Sequence, residues 1–137
     1  MGRILAIDYG KKRTGLAVTD PLKIIATGLT TIASHALIPY LKAYIQKEQV
    51  EKIIIGMPLD LQGRETDATP LVREMIRILH KHFPAIPIEA VDERLTSRLA
   101  SRSLVESGIK KQARRNKALI DEVSATILLQ GYLQSVS

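Results

Sequence analysis

The sequence predicts an α/β domain built on a five-stranded mixed sheet, an antiparallel three-strand meander plus two parallel strands, with helices on both faces. Three observations predict it. Ile4-Leu5-Ala6-Ile7 and Lys52-Ile53-Ile54-Ile55-Gly56 are continuous apolar runs rather than alternating ones, as expected of strands buried on both faces. A segment at helical spacing separates those two runs, and a helix between strands implies a crossover, which joins parallel strands. At 137 residues the chain is the size of one domain and can bury a core without disulfides or a structural metal.

The elements follow in order. The first strand, Ile4 to Ile7, ends at Asp8. After the polar turn Tyr9-Gly10-Lys11-Lys12-Arg13, Thr14 to Val18 is close enough to pair antiparallel with it. The turn Asp20-Pro21-Leu22-Lys23 leads to a third strand, Ile24 to Thr31. From Ala36 to Gln49, Leu37, Leu41, Tyr44 and Ile45 recur at helical spacing, with Ser34 placed to cap the helix. The strand Lys52 to Gly56 follows, then a loop from Met57 to Asp67 containing Pro58 and Gly63. A second helix carries Leu71, Met75, Ile78 and Leu79 on one side, with Thr69 suited to N-cap and Pro70 to the first helical position. Phe83-Pro84 stops it, Ile86 to Val91 is the last strand, and it ends in Asp92-Glu93. Two helices close the chain, Leu95 to Ser107 and Ala118 to Leu133, with Gly108 as the break. This order is the ribonuclease H-like topology, and one domain over residues 1–137 is expected.

Composition narrows the function classes. An apolar fraction of 45% with 25% charged residues is that of a soluble globular protein. With no cysteine there is no basis for a secreted disulfide scaffold, a zinc finger or a thiol nucleophile. No stretch nears the roughly 20 apolar residues that span a bilayer. Met1-Gly2-Arg3 runs into a short apolar stretch without a cleavage-site pattern, so no membrane association and a cytoplasmic location are expected. The net charge of +6 is unevenly spread: Arg94 to Lys117 holds eight basic residues against Glu106 alone, and the rest is near neutral.

In an open α/β sheet, ligands bind beyond the carboxyl ends of the parallel strands. The first strand delivers Asp8 to that rim and the last delivers Asp92-Glu93. Phosphodiester hydrolysis needs a hard cation to polarise the phosphoryl oxygen, and hard cations take oxygen ligands. Asp121 is the third candidate, because Asp121, Ala125 and Leu128 fall on one helical face while Glu122 points away. Taken singly, each acid also reads as an ordinary turn or helix-end residue, and convergence on one rim is what distinguishes them.

The basic residues form a second constellation. Arg94, Arg98 and Arg102 make a helical stripe, and Lys110, Lys111, Arg114, Arg115 and Lys117 cluster after it. A stripe of charge can be a solvated face, but this one lacks counter-acids and begins beside Glu93, as a surface that gathers phosphates would. Gly10 and Gly15 flank Lys11-Lys12-Arg13, a turn that could approach phosphate or simply close a hairpin. His80 and His82 face different directions on their helix and do not make a shared metal site. The loop after Pro58 is either a substrate flap or a connection.

Four segments together are familiar. Asp8-Tyr9-Gly10-Lys11-Lys12-Arg13-Thr14-Gly15-Leu16-Ala17, Gly56-Met57-Pro58-Leu59 with Gly63, Asp92-Glu93-Arg94-Leu95-Thr96, and Asp121 with Ser124-Ala125 and Ile127 to Leu133 closely resemble the bacterial YqgF family. That family is also called RuvX, and its members are described as pre-16S rRNA nucleases or Holliday junction resolvases. The resemblance implies a ribonuclease H-like fold, a carboxylate site for Mg2+ or Mn2+, and a nucleic acid substrate. By motif the ligands are Asp8, Glu93 and Asp121, with Asp92 the alternative to Glu93 because strand neighbours point to opposite faces.

The leading expectation is thus a nuclease acting on precursor 16S rRNA, with Lys11, Lys12, Arg13 and the basic segment holding nucleic acid. The alternatives are a homodimer cutting four-way DNA junctions, as opposed to a monomer on RNA, and a non-catalytic nucleic-acid-binding adaptor. The Asp8-x-Gly10 hairpin also resembles the phosphate loop of actin-like kinases, but those close two domains around a nucleotide and this chain has room for one.

Overall fold

The computed structural model describes residues 2–58, 62–92 and 117–136, with the backbone alone for 117–122. Its elements are β1 (Arg3–Tyr9), β2 (Arg13–Thr19), β3 (Ala26–Ala33), a 3-10 turn (Ser34–Ala36), α1 (Leu37–Lys47), β4 (Val50–Met57), α2 (Thr69–His82), β5 (Ile88–Asp92) and α3 (Lys117–Val136). The expected helix Leu95 to Ser107 and the residues Arg94 to Arg115 lie outside the described residues.

The sheet has five strands, as expected, in the order β3-β2-β1-β4-β5. β1–β2 and β2–β3 are antiparallel, and β1–β4 and β4–β5 are parallel. Alternation along each central strand sorts side chains into two layers. Leu5, Ile7, Leu16, Val18, Ile53 and Ile55 pack with α1 and α2 through Leu37, Leu41, Val72, Met75 and Leu79. Ile4, Ala6, Ala17 and Ile54 face α3 through Ala125, Leu128, Leu129 and Tyr132. Both faces of β1 and β4 are therefore covered, which is why their sequences read as unbroken apolar runs.

Five local expectations are corrected, each by a competing hydrogen bond or burial demand. β3 begins at Ala26 rather than Ile24, because the Asp20 carboxylate accepts the Ile24 and Ile25 amides at 2.8 and 2.9 Å and withdraws them from the ladder. Those bonds, Ile25 first, hold the Asp20 carboxyl below its ordinary pKa. Ser34 does not cap α1: it opens the 3-10 turn, α1 starts at Leu37, and the cap position Ala36 makes no side-chain bond. Thr69 likewise is the first residue of α2 rather than its cap, its hydroxyl donating to the Pro58 carbonyl at 2.6 Å. Leu71 is exposed, and the buried stripe of α2 is Thr69, Val72, Met75 and Leu79. β5 starts at Ile88 instead of Ile86, since the Ile86 amide turns back to the Phe83 carbonyl and Pro87 has no amide to give. Among the described residues no helix is long and apolar enough to cross a membrane.

Candidate active site

Because β1, β4 and β5 run in the same direction, their carboxyl ends share one rim. Asp8 sits there, half-buried, on the penultimate position of β1. It has the parity of Ile4 and Ala6, so it lies on the α3 face. Its cross-strand partner on β2 is Gly15. On β4, one step beyond the Ile7–Ile55 pair, its neighbour is Gly56. The row across the sheet is therefore Gly15–Asp8–Gly56, with a glycine as the strand neighbour of Asp8 on either side. A hard cation takes oxygen donors, and a carboxylate at the end of a parallel strand is one, so the chemistry of Asp8 fits such an ion.

The direction of α3 follows from its far end. Lys52 Nζ donates to the Tyr132 hydroxyl and lies 4.9 Å from the centre of its ring. That hydrogen bond raises the Lys52 pKa above its ordinary value. Lys52 is the register partner of Ile4, so Tyr132 lies at the amino end of β1. The eleven residues from Tyr132 back to position 121 rise about 16 Å. The four from Ile4 to Asp8 extend about 13 Å. The two lengths are comparable, so α3 runs back along β1 toward the rim that carries Asp8. Position 121 shares a helical stripe with Ala125 and Leu128, both buried against the sheet. The small side chains Ala6 and Ala17 in that layer let α3 lie close over β1 and β2.

Asp92 is on the other face. Ile88 packs with the α1–α2 layer and Val91 with the α3 layer, so alternation turns Asp92 away from Asp8. Glu93, Arg94, Arg98, Arg102, Lys110, Lys111, Arg114 and Arg115 lie outside the described residues. Lys117 is the first residue of α3. Lys11 and Lys12 are exposed in the β1–β2 turn beside Asp8, and Arg13 is half-buried at the start of β2. His80 and His82 are both exposed, on α2. Among the described residues no three His, Asp or Glu side chains form a metal-binding group.

Two hydroxyl clusters at this rim escaped the reading of the sequence. Ser34, 5% exposed, donates from Oγ to the Gly10 carbonyl at 2.5 Å and lies 2.8 Å from Thr14 Oγ1. Its amide donates to the Lys12 carbonyl at 2.9 Å. The other cluster is Thr69, fully buried, which bonds the Pro58 carbonyl and accepts the Thr66 amide at 2.9 Å. It ties the end of β4 to the start of α2, bracing the loop that leaves the rim beside Asp8. The signal that could have found them is polarity at positions the topology buries.

The comparisons agree with this architecture. The family described as "RuvX: Holliday junction resolvase" matches residues 2–135. The chain belongs to the RuvX family. Among its relatives is a Porphyromonas gingivalis protein, 54% identical over 135 residues, covering 98% of each chain and named "Putative pre-16S rRNA nuclease". Proteins of the same name from Bacteroides thetaiotaomicron and Flavobacterium psychrophilum are each 52% identical, over 135 and 133 residues, covering 98% and 97% of this chain and of their own. Two solved structures share the ribonuclease H-like fold of this RuvX chain. T. thermophilus RuvC in complex with Holliday junction substrate has a TM-score of 0.58 at 14% identity, covering 98% of this chain and 96% of that one. Fowlpox virus resolvase with substrate Holliday junction DNA has a TM-score of 0.59 at 12% identity, covering 98% of each.

Proposed function

We propose that this protein is a single-domain, divalent-metal-dependent nuclease that hydrolyses phosphodiester bonds in precursor 16S rRNA. The observation that carries the reading is the Gly15–Asp8–Gly56 row: a carboxylate at a parallel-strand end, between two glycine neighbours, on the face covered by α3. Asp8, Glu93 and Asp121 would hold Mg2+ or Mn2+. The rise of α3 supports Asp121 in this role, and the alternation of β5 supports Glu93 over Asp92. When bound, such an ion polarises a phosphoryl oxygen and lowers the pKa of its water.

The chain's own residues do the rest. Lys11 and Lys12 meet phosphates flanking the scissile bond, joined by Arg13 and by the basic residues from Arg94 to Lys117. A substrate held this way is bound more weakly as salt rises. The RNA assignment rests on relatives about half identical along nearly the whole chain that carry a pre-rRNA nuclease name, and a cytoplasmic location goes with it.

The family's description and the two resolvase neighbours favour a second reading, cleavage of four-way DNA junctions. A two-fold junction needs two symmetry-related sites and hence a dimer. The test is purified protein with Mg2+ or Mn2+ on a precursor 16S rRNA fragment and on a synthetic junction, with Asp8→Asn alongside. We expect cleavage of the RNA, abolished in the variant, by a monomer. Junction cleavage by a dimer would favour the second reading. Binding without cleavage of either substrate would mark an adaptor.

A further inference from the structure

We propose that Ser34, backed by Thr14, is the positioning residue of the β1–β2 turn, setting the backbone of Gly10 to Lys12 so that Lys11 and Lys12 engage phosphate. The inference rests on the nuclease reading for what the turn does, but its geometry is independent of it. Ser34 Oγ donates its one proton to the Gly10 carbonyl, so in the 2.8 Å contact with Thr14 the threonine must be the donor. A polarised chain results: Thr14 hydroxyl to Ser34 oxygen, Ser34 hydroxyl to Gly10 carbonyl. The Ser34 amide fixes the Lys12 carbonyl as well, so one residue from β3's end holds two carbonyls of the turn.

The consequence follows from peptide planarity. A trans peptide points its N–H opposite to its C=O, so turning the Gly10 carbonyl inward turns the Lys11 amide away from Ser34, to the side where Lys11 and Lys12 are exposed. The turn in this conformation requires glycine, because a Cβ at Gly10 would stand 2.5 Å from the Arg13 carbonyl oxygen. Thr14 is fully buried and Ser34 5% exposed, so water cannot easily replace either hydroxyl. The neighbouring carboxylate, Asp8, lies two residues before the turn. A lysine pair held in place beside it would present phosphate in a defined register rather than by loose attraction.

The test is metal-free binding of a short RNA duplex, measured as Kd against salt, for wild type, Ser34→Ala, Lys11→Ala/Lys12→Ala, and the three changes combined. Ser34→Ala should weaken binding about three- to tenfold and lower the salt slope by about 1, as loss of a phosphate contact does. In the lysine-free background it should cost nothing further. Ser34→Ala binding like wild type, a penalty that adds in full to that of the lysine changes, or no wild-type binding would overturn the proposal. Should Ser34→Ala not fold, Thr14→Val and Ser34→Cys judge it by the same criteria. Cleavage with Mg2+ is scored separately: tight, Ser34-dependent binding without any cleavage would sink the nuclease reading and leave this inference standing.

Discussion

Gly10→Ala tests the rim through a single methyl group. The added Cβ would lie 2.5 Å from the Arg13 carbonyl oxygen, against about 3.3 Å for an ordinary carbon–oxygen contact. The turn must therefore open by about 0.8 Å. It cannot do so freely, because the Gly10 and Lys12 carbonyls are both held by Ser34. Either those bonds stretch or the hairpin end shifts, and overpacking of this kind costs about 1–3 kcal/mol. For a chain of this size that corresponds to a melting temperature lower by roughly 3–12 °C. A displacement near 1 Å at a substrate-positioning turn can cost about a hundredfold in rate. The assay is a thermal melt beside cleavage of the precursor rRNA fragment, with manganese affinity as control. Loss of stability and rate with unchanged metal affinity is expected. A variant that melts and cleaves like wild type would refute the account of the turn.

Other perturbations read different parts of the same frame. Thr69→Val leaves the Pro58 carbonyl and the Thr66 amide without their buried partner, so stability should fall by about 1–3 kcal/mol in denaturant titration, and hydrogen exchange should quicken around residues 62–68. An unchanged midpoint would show that the loop is braced elsewhere. Ala125→Leu would force α3 off Ala6 and Ala17, costing about 1–3 kcal/mol and lowering cleavage, since lifting the helix also moves position 121; full activity would contradict the close approach. Asp20 has a lowered pKa, so its contribution is present above its ordinary value of 3.8 and is lost as pH falls through the lowered value. The melting difference between wild type and Asp20→Ala should accordingly be complete above about pH 5 and shrink in acid. A constant difference across that range would argue against the carboxylate's role in the β2–β3 turn.

Much of this arrangement was legible in the residues. Ile4 to Ile7 and Ile53 to Ile55 announce central parallel strands because α helices cover both faces, and burial on both faces removes the alternation an exposed strand would show. Asp8 could be placed at the rim because the apolar run stops there. The faces of Asp8 and Asp92, by contrast, depend on register: only the membership of Ile88 and Val91 in opposite layers shows that Asp92 turns away.

What stayed hidden is of one physical kind. Ser34 and Thr69 look like helix caps because a hydroxyl before a periodic segment usually satisfies the nearest amides. Here each found a carbonyl distant in sequence, at Gly10 and Pro58, and no local pattern encodes such a partner. Ile24 and Ile25 read as strand by their β-branched side chains, but the Asp20 carboxylate takes their amides first. Leu71 fits the helical stripe only if α2 is rotated away from the phase that buries Thr69 and Val72.

The central claim is that Asp8, with Glu93 and Asp121, holds a catalytic divalent ion in the gap between Gly15 and Gly56. A crystal soaked in manganese tests it most directly, through anomalous density recorded for wild type and Asp8→Asn under the same conditions. The account predicts a peak against the Asp8 carboxylate on the α3 face in the wild type and none in the variant. Density on the Asp92 face, or a peak of equal strength without Asp8, would contradict it.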